Sequence, residues 1–140
     1  MNRIRMAVVG VGHLGKEHAR VLASFPDVEL IGVADVNPNQ ARTVADRCRT
    51  KAFDDHEDLF DLVDAVSIAA PTLYHHQIAR GFLDRGIPVL VEKPITTTLA
   101  QAEELVEIAA AQGVPFQVGH IERFNPAFEE LARRPLTPKL

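Results

Sequence analysis

The sequence predicts an α/β fold, a doubly wound parallel sheet of about six strands ordered 3-2-1-4-5-6, and three observations carry that prediction. Apolar runs of strand length alternate with stretches of helical period. Gly, Pro, Asn or Asp stands at nearly every switch between them. A glycine-rich hexapeptide, G-V-G-H-L-G from Gly10 to Gly15, joins the first strand to the first helix.

Taken in order, Ile4 to Val9 reads as the first strand, and the next helix carries Leu14, His18, Val21, Leu22 and Phe25 on one stripe. Val28 to Ala34 is the second strand. Asn37 offers an N-cap and Pro38 a first-turn proline for a helix that buries Ala41, Val44, Ala45 and Cys48. Thr50 to Phe53 makes a short third strand, and Asp54-Asp55 caps a brief helix holding Leu59 and Phe60. Ala65 to Ala70 is nearly all apolar, which places it in mid-sheet with both faces covered.

A helix from Thr72 ends near Gly86, and Pro88 to Val91 is the fifth strand. Thr98 and Gln101 then have capping-box spacing, Leu105, Val106 and Ala109 form a packing stripe, and Gly113 closes that helix. Phe116 to Gly119 is the sixth strand. Beyond Ile121 the pattern changes: Asn125-Pro126 starts another short helix, and L-A-R-R-P-L-T-P-K-L reads as a tail.

A chain of 140 residues fits one domain and removes roughly 68–70% of its unfolded surface from water on folding. Its 46% apolar and 24% charged residues and net charge of -4 are ordinary for a soluble protein and offer no basic surface to nucleic acid. The dense Arg133-Arg134 pair reads as a solvated helix end. One cysteine, Cys48, cannot form an internal disulfide and fits a reducing compartment. The basic amino terminus has too short an apolar run for a signal peptide, so a cytoplasmic protein is expected. No window approaches the ~18 apolar residues of a membrane span.

In the hexapeptide, Gly10 permits a tight turn, Gly12 lets a pyrophosphate approach the backbone, and Gly15 lets the helix pack closely on the strand. The helix's unpaired N–H groups, including those near His13 and Leu14, then face the anion. Asp35 ends the second strand 20 residues after Gly15 and is placed to accept hydrogen bonds from ribose hydroxyls. A 2′-phosphate there would meet a carboxylate, a repulsion of ~4 kcal/mol at ~4 Å and an effective dielectric of about 20. Val36 and Asn37 offer no offsetting cation, so NAD is preferred over NADP.

Ligands of open α/β sheets lie outside the carboxyl ends of the strands. That rim collects Gly10 to Gly15, Asp35, Ala70-Pro71-Thr72, Glu92-Lys93-Pro94 and Gly119-His120. With adenosine over the second strand, nicotinamide extends across strands four to six and meets Lys93. Side chains alternate, so Val91 and Lys93 point one way and Glu92 the other. A partly desolvated Lys93 ammonium would hydrogen-bond a substrate hydroxyl and favour its alkoxide character. The alternative is a snorkelling lysine paired with a nearby acid.

G-V-G-H-L-G-K-E-H-A from Gly10, A-A-P-T-L-Y-H from Ala69, E-K-P-I from Glu92 and G-H-I-E-R-F-N-P-A from Gly119 together resemble the glucose-fructose oxidoreductase/inositol dehydrogenase/rhizopine-catabolism (Gfo/Idh/MocA) family, over residues 1 to about 130. The resemblance implies an NAD-binding Rossmann domain at 1–120, with 121–140 opening a C-terminal substrate domain that this chain does not carry. It implies a dehydrogenase passing hydride between a sugar or polyol carbon and nicotinamide, with Lys93 catalytic. Gly10, Gly12, His13, Leu14, Gly15, Asp35, Ala70, Pro71, Thr72, His75, Glu92 and Lys93 would bind the cofactor. By the same resemblance the Pro71-Thr72 turn and His75 line the nicotinamide side. The G-H-I-E-R-F-N-P-A version is similar to members that oxidise the 3-hydroxyl of nucleotide-linked N-acetylhexosamines such as UDP-N-acetylglucosamine.

Family enzymes take their general base from the second domain, usually a histidine, and no histidine follows His120 here. The chain is therefore expected to bind NAD(H) and turn over little alone, as a cut piece or a natural remnant. The competing expectation is a non-catalytic NAD(H)-binding module that senses redox state. An exposed interdomain face would favour a homo-oligomer.

His13 either donates to a cofactor phosphate or faces solvent, and His18 reads as a hydrogen-bonded core histidine. His120 and Arg123 are candidate substrate contacts, Arg123 with an ion pair to Glu122 or Glu129 as the alternative. His75 and His76 splay by about 100° and make a poor metal pair, and H-E-D-L-F from His56 lacks a second histidine, so no metal is expected.

Overall fold

Six short segments form six parallel strands in a computed structural model that describes residues 3–134. The elements are β1 (Ile4–Val9), α1 (Gly15–Leu22), β2 (Val28–Ala34), α2 (Pro38–Cys48), β3 (Lys51–Phe53), a 3-10 turn (His56–Leu59), β4 (Ala65–Ile68), α3 (Thr72–Leu83), β5 (Val89–Glu92), α4 (Leu99–Gln112), β6 (Phe116–Gly119), a second 3-10 turn (Ile121–Phe124) and α5 (Pro126–Arg133). The sheet runs β3-β2-β1-β4-β5-β6, the predicted order. Positions 135–140 of the expected tail lie outside the described residues.

Alternation along β1 feeds two cores. Val8 joins Val11, Ala19, Val33, Val44 and Ala45 under α1 and α2. Ala7 and Val9 join Ile68, Val91, Phe82, Leu83 and Leu105 under α3 and α4. Each such large side chain removed from water stabilises the fold by about 1.5–3 kcal/mol. The strand ends are thereby held level: Val9 aligns with Ala34 and Ile68, and Glu92 with Gly119.

Asn37 accepts from the Asn39 and Gln40 amides and caps α2, as predicted, and Gly113 ends α4 with φ +68°. Thr98 Oγ1 accepts from the Gln101 amide at 3.3 Å, but the Gln101 side chain is taken by the Thr97 hydroxyl at 2.8 Å. Thr50 falls just outside β3, its hydroxyl donating to the Leu30 carbonyl.

Two expected stripes are corrected. Leu14, Val21 and Phe25 are exposed, and α1 meets the sheet through Gly15 and Ala19. Of the expected stripe, Leu22 packs against the core and His18 reaches Ser67. Val106 is likewise exposed, leaving Leu105 and Ala109 to carry α4. Cys48 is half-buried, and burial pushes its thiol up.

Among the described residues no helix is long and apolar enough to cross a membrane, and no group of three or more His, Cys, Asp or Glu could hold a metal ion. At the other end of the sheet the Arg5 guanidinium meets Asp64 Oδ1 at 2.6 Å and holds the Asp64 carboxyl below the usual range. A depressed folded-state pKa contributes stability above the unfolded value, about 3.9, and that contribution is lost as pH falls through the lower folded value. Asp64→Asn is therefore expected to melt slightly lower than the parent at neutral pH, with the two melting temperatures converging as pH falls below the lowered folded-state value of the carboxyl. A thermal-denaturation series across pH checks this.

Candidate functional site

The three loop glycines are required for different reasons. Gly10 has φ +80°, and a Cβ there would lie 2.5 Å from the Ala70 backbone. A Cβ on Gly15 would lie 1.7 Å from the Gly10 carbonyl oxygen. A Cβ on Gly12 would meet nothing within 4 Å. The fold thus needs Gly10 and Gly15, whereas Gly12 keeps clear a space that no protein atom fills.

That space adjoins unpaired donors. Leu14 is the N-cap of α1 and gives it no side-chain cap bond. Among the described residues the amides of Gly12, His13, Leu14 and Gly15 have no protein acceptor. Four donors at the positive end of a helix form an anion site. His13 and Leu14 are exposed beside it.

Asp35 fastens this loop. Its Oδ2 accepts from the Val11 amide and its Oδ1 from the Asn37 amide, each at 2.9 Å. Gln40 Nε2 adds a bond to the Val11 carbonyl at 2.8 Å. A carboxylate offers about four acceptor positions, so two remain for ribose hydroxyls.

Beside Gly10 lies a recess of about 440 Å³ lined by Val9, Gly10, Ala34, Asp35, Val36, Asp54, Asp55, His56, Ala70, Pro71, Tyr74, Gln77 and Ile78. Its size and largely apolar wall suit a small-molecule site. The sequence reading named Gly10, Asp35, Ala70 and Pro71 but missed Asp54, Asp55, His56, Tyr74 and Gln77. Asp54 and Asp55 follow β3 on the carboxyl rim, a signal that was available; Tyr74 and Gln77 share one face of α3 only once its start at Thr72 is known.

Around Lys93 the side chains are arranged as follows. Lys93 is exposed and forms no ion pair among the described residues. Glu92 turns away from the rim: its Oε1 lies 3.1 Å from His18 Nε2, and its side chain packs against Gly119. His75 is buried. It is 1% exposed, with Nε2 2.7 Å from the Ala70 carbonyl oxygen and Nδ1 2.9 Å from that of Pro94.

His18 is the hydrogen-bonded histidine expected, its Nδ1 2.8 Å from Ser67 Oγ. Since Glu92 pairs with Gly119, Lys93 and His120 are the next residues along neighbouring strands. His120 and Arg123 share a second hollow of about 500 Å³ with Phe116, Gln117, Val118 and Phe124. Arg123 makes no ion pair among the described residues; Glu122 instead accepts from the Asn125 amide group at 2.8 Å. Thr72, at the start of α3, stays half-buried beside exposed Pro71.

A cleared glycine, four free amides, an acid at the end of β2 and an adjacent apolar recess fit the phosphate, ribose and base of a dinucleotide. The sequence profile of GFO_IDH_MocA, described as an oxidoreductase family with an NAD-binding Rossmann fold, matches residues 4–120. UDP-N-acetylglucosamine 3-dehydrogenase of Acidithiobacillus ferrooxidans is 38% identical over 131 residues, spanning 94% of this chain and 41% of that protein. Its solved structure superposes with a TM-score of 0.88. The scyllo-inositol 2-dehydrogenase (NAD(+)) of Bacillus subtilis is 34% identical over 137 residues, spanning 95% and 40%. The crystal structure of GenD2 from gentamicin A biosynthesis, in complex with NAD, is 32% identical with a TM-score of 0.90, covering 95% of this chain and 40% of that one. The chain thus spans about 40% of the length of these relatives. Fold, glycine loop and profile agree: the chain belongs to the Gfo/Idh/MocA oxidoreductase family and comprises its NAD-binding Rossmann-fold domain.

Proposed function

We propose that this chain is the nucleotide half of a dehydrogenase that moves hydride between NAD and a sugar or polyol hydroxyl carbon, a nucleotide-linked N-acetylhexosamine being the favoured substrate. The space over Gly12 beside four acceptor-free amides carries the reading, because nothing in the fold itself asks for a glycine there. The boundary of the nucleotide domain is placed at residue 120, with 121–140 leading into a substrate domain, and the working protein is placed in the cytoplasm.

Bound in this crevice, NAD supplies a hydride acceptor at its nicotinamide ring. The chain's own residues bind and orient: the amides of Gly12 to Gly15 hold the diphosphate, with His13 and Leu14 at its edge, and Asp35 holds the adenosine ribose. Ala70, Pro71 and Thr72 flank the path toward β5. The Lys93 ammonium, free of any ion pair among the described residues, donates to the substrate hydroxyl. His120 and Arg123 contact the substrate from β6 and the turn after it, Arg123 offering a fork suited to a phosphate.

Parallel titration of the purified chain with NAD, NADH and NADP tests this. NAD and NADH are expected to bind and to raise stability by ~2.7 kcal/mol at 100 times the dissociation constant. NADP is expected to bind more weakly, and absence of binding by all three sinks the proposal. Asp35→Ala removes charge-assisted hydrogen bonds worth about 1.5–3 kcal/mol each. NAD is then expected to weaken by ~10- to 100-fold, and its advantage over NADP to narrow. Unchanged selectivity in the same titration would remove the role assigned to Asp35.

A further inference from the structure

Lys93 projects into solvent with no ion pair among the described residues, so any order it has must come from its backbone. The two residues flanking it are both held, from opposite faces of the sheet, by histidines that sequence spacing does not connect. From α1, His18 places Nδ1 2.8 Å from Ser67 Oγ in β4 and Nε2 3.1 Å from Glu92 Oε1. Glu92 Oε2 in turn accepts from the Lys93 amide at 3.3 Å. From α3, His75 lies between the carbonyl oxygens of Ala70, just past β4, and Pro94, and a ring carrying one N–H donates to one of them at a time.

We propose that His18 and His75 are positioning residues that fix the Glu92–Pro94 segment, and with it Lys93, against β4. Both bridges start from β4 or its end, Ser67 and Ala70, and both finish on a neighbour of Lys93. Ser67 and His75 are each 1% exposed, and polar groups buried that deeply destabilise a domain unless they are hydrogen-bonded. Apolar side chains would fill the same volumes more simply. What the polar bridges add is direction, since a hydrogen bond weakens with distance and angle where packing tolerates sliding. A misplacement of about 1 Å at a reacting group can lower a rate ~100-fold, which gives such direction its value.

The catalytic meaning of this clamp rests on the reading of Lys93 above, but its existence is measurable without coenzyme. Backbone ¹⁵N relaxation of the chain reads order at Glu92, Lys93 and Ile95. In His18→Ala the order parameters at these amides are expected to fall from ~0.85 to below ~0.6 while β1 and β2 stay rigid. His18→Gln is expected to restore them, because an amide side chain can accept from Ser67 and donate to Glu92. Ser67→Ala breaks the same bridge from its other end and is expected to repeat the loss in part. Unchanged order in both alanine variants overturns the clamp, as does disorder spread evenly over the sheet, which marks a merely structural role. If the chain binds no NADH yet the local loss appears, the clamp stands and the coenzyme reading fails.

Discussion

Gly12→Val is expected to abolish dinucleotide binding while leaving the melting temperature close to that of the parent. A Cβ at this position meets no protein atom within 4 Å, and Gly12 does not need a positive φ. A substitution without packing or backbone penalties typically shifts stability by about 0.5 kcal/mol or less. The isopropyl group would instead occupy the space in front of four unpaired amides. Loss of the diphosphate contacts is expected to weaken NADH by at least ~100-fold, about 2.7 kcal/mol. Gly15→Val supplies the contrast, because its Cβ would lie 1.7 Å from the Gly10 carbonyl oxygen and must push α1 off the sheet. That variant is expected to lose more than ~4 kcal/mol, or upwards of about 10 °C in melting temperature. Calorimetry and NADH titration of the pair decide the matter; retained binding in Gly12→Val would place the anion elsewhere.

Lys93→Ala, introduced into the complete two-domain dehydrogenase proposed here, is expected to lower kcat by ~100- to 10,000-fold. The affinity for NAD is expected to stay within about threefold, because the proposed hold on the diphosphate and ribose comes from the first-loop amides and Asp35, which lie on β1, α1 and β2 rather than β5. The difference follows from where Lys93 stands: at the carboxyl end of β5, next to His120 across the strand pair, with an ammonium free to meet a hydroxyl. Sugar oxidation and coenzyme binding measured on the same preparation separate the two effects. A fully active alanine variant would remove Lys93 from the chemistry.

The strands were legible because buried parallel strands are written as largely apolar runs, and Ile4–Val9, Val28–Ala34 and Val89–Glu92 are such runs, each with a single charged residue. The glycine loop and Asp35 were legible because their spacing reflects local turn geometry. Helix faces were read less well: periodicity weights large residues, and it assigned Leu14, Val21 and Phe25 to a contact that Gly15 and Ala19 make. The supports of Lys93 were not legible at all. Ser67, His18 and Glu92 come from β4, α1 and β5, and only the strand order brings them together.

The sheet order also sets a schedule. β1 occupies the middle of the sheet, yet one of its two neighbours, β4, pairs Met6 with Ala65, about 60 residues further along. A ribosome adding roughly 5–20 residues per second needs about 3–12 s to deliver that partner. Until then Ile4–Val9 is an apolar ribbon with one side unpaired, the kind of segment that seeks strangers. Nascent-chain holding in that interval therefore falls on the stretch that later cradles the phosphate turn.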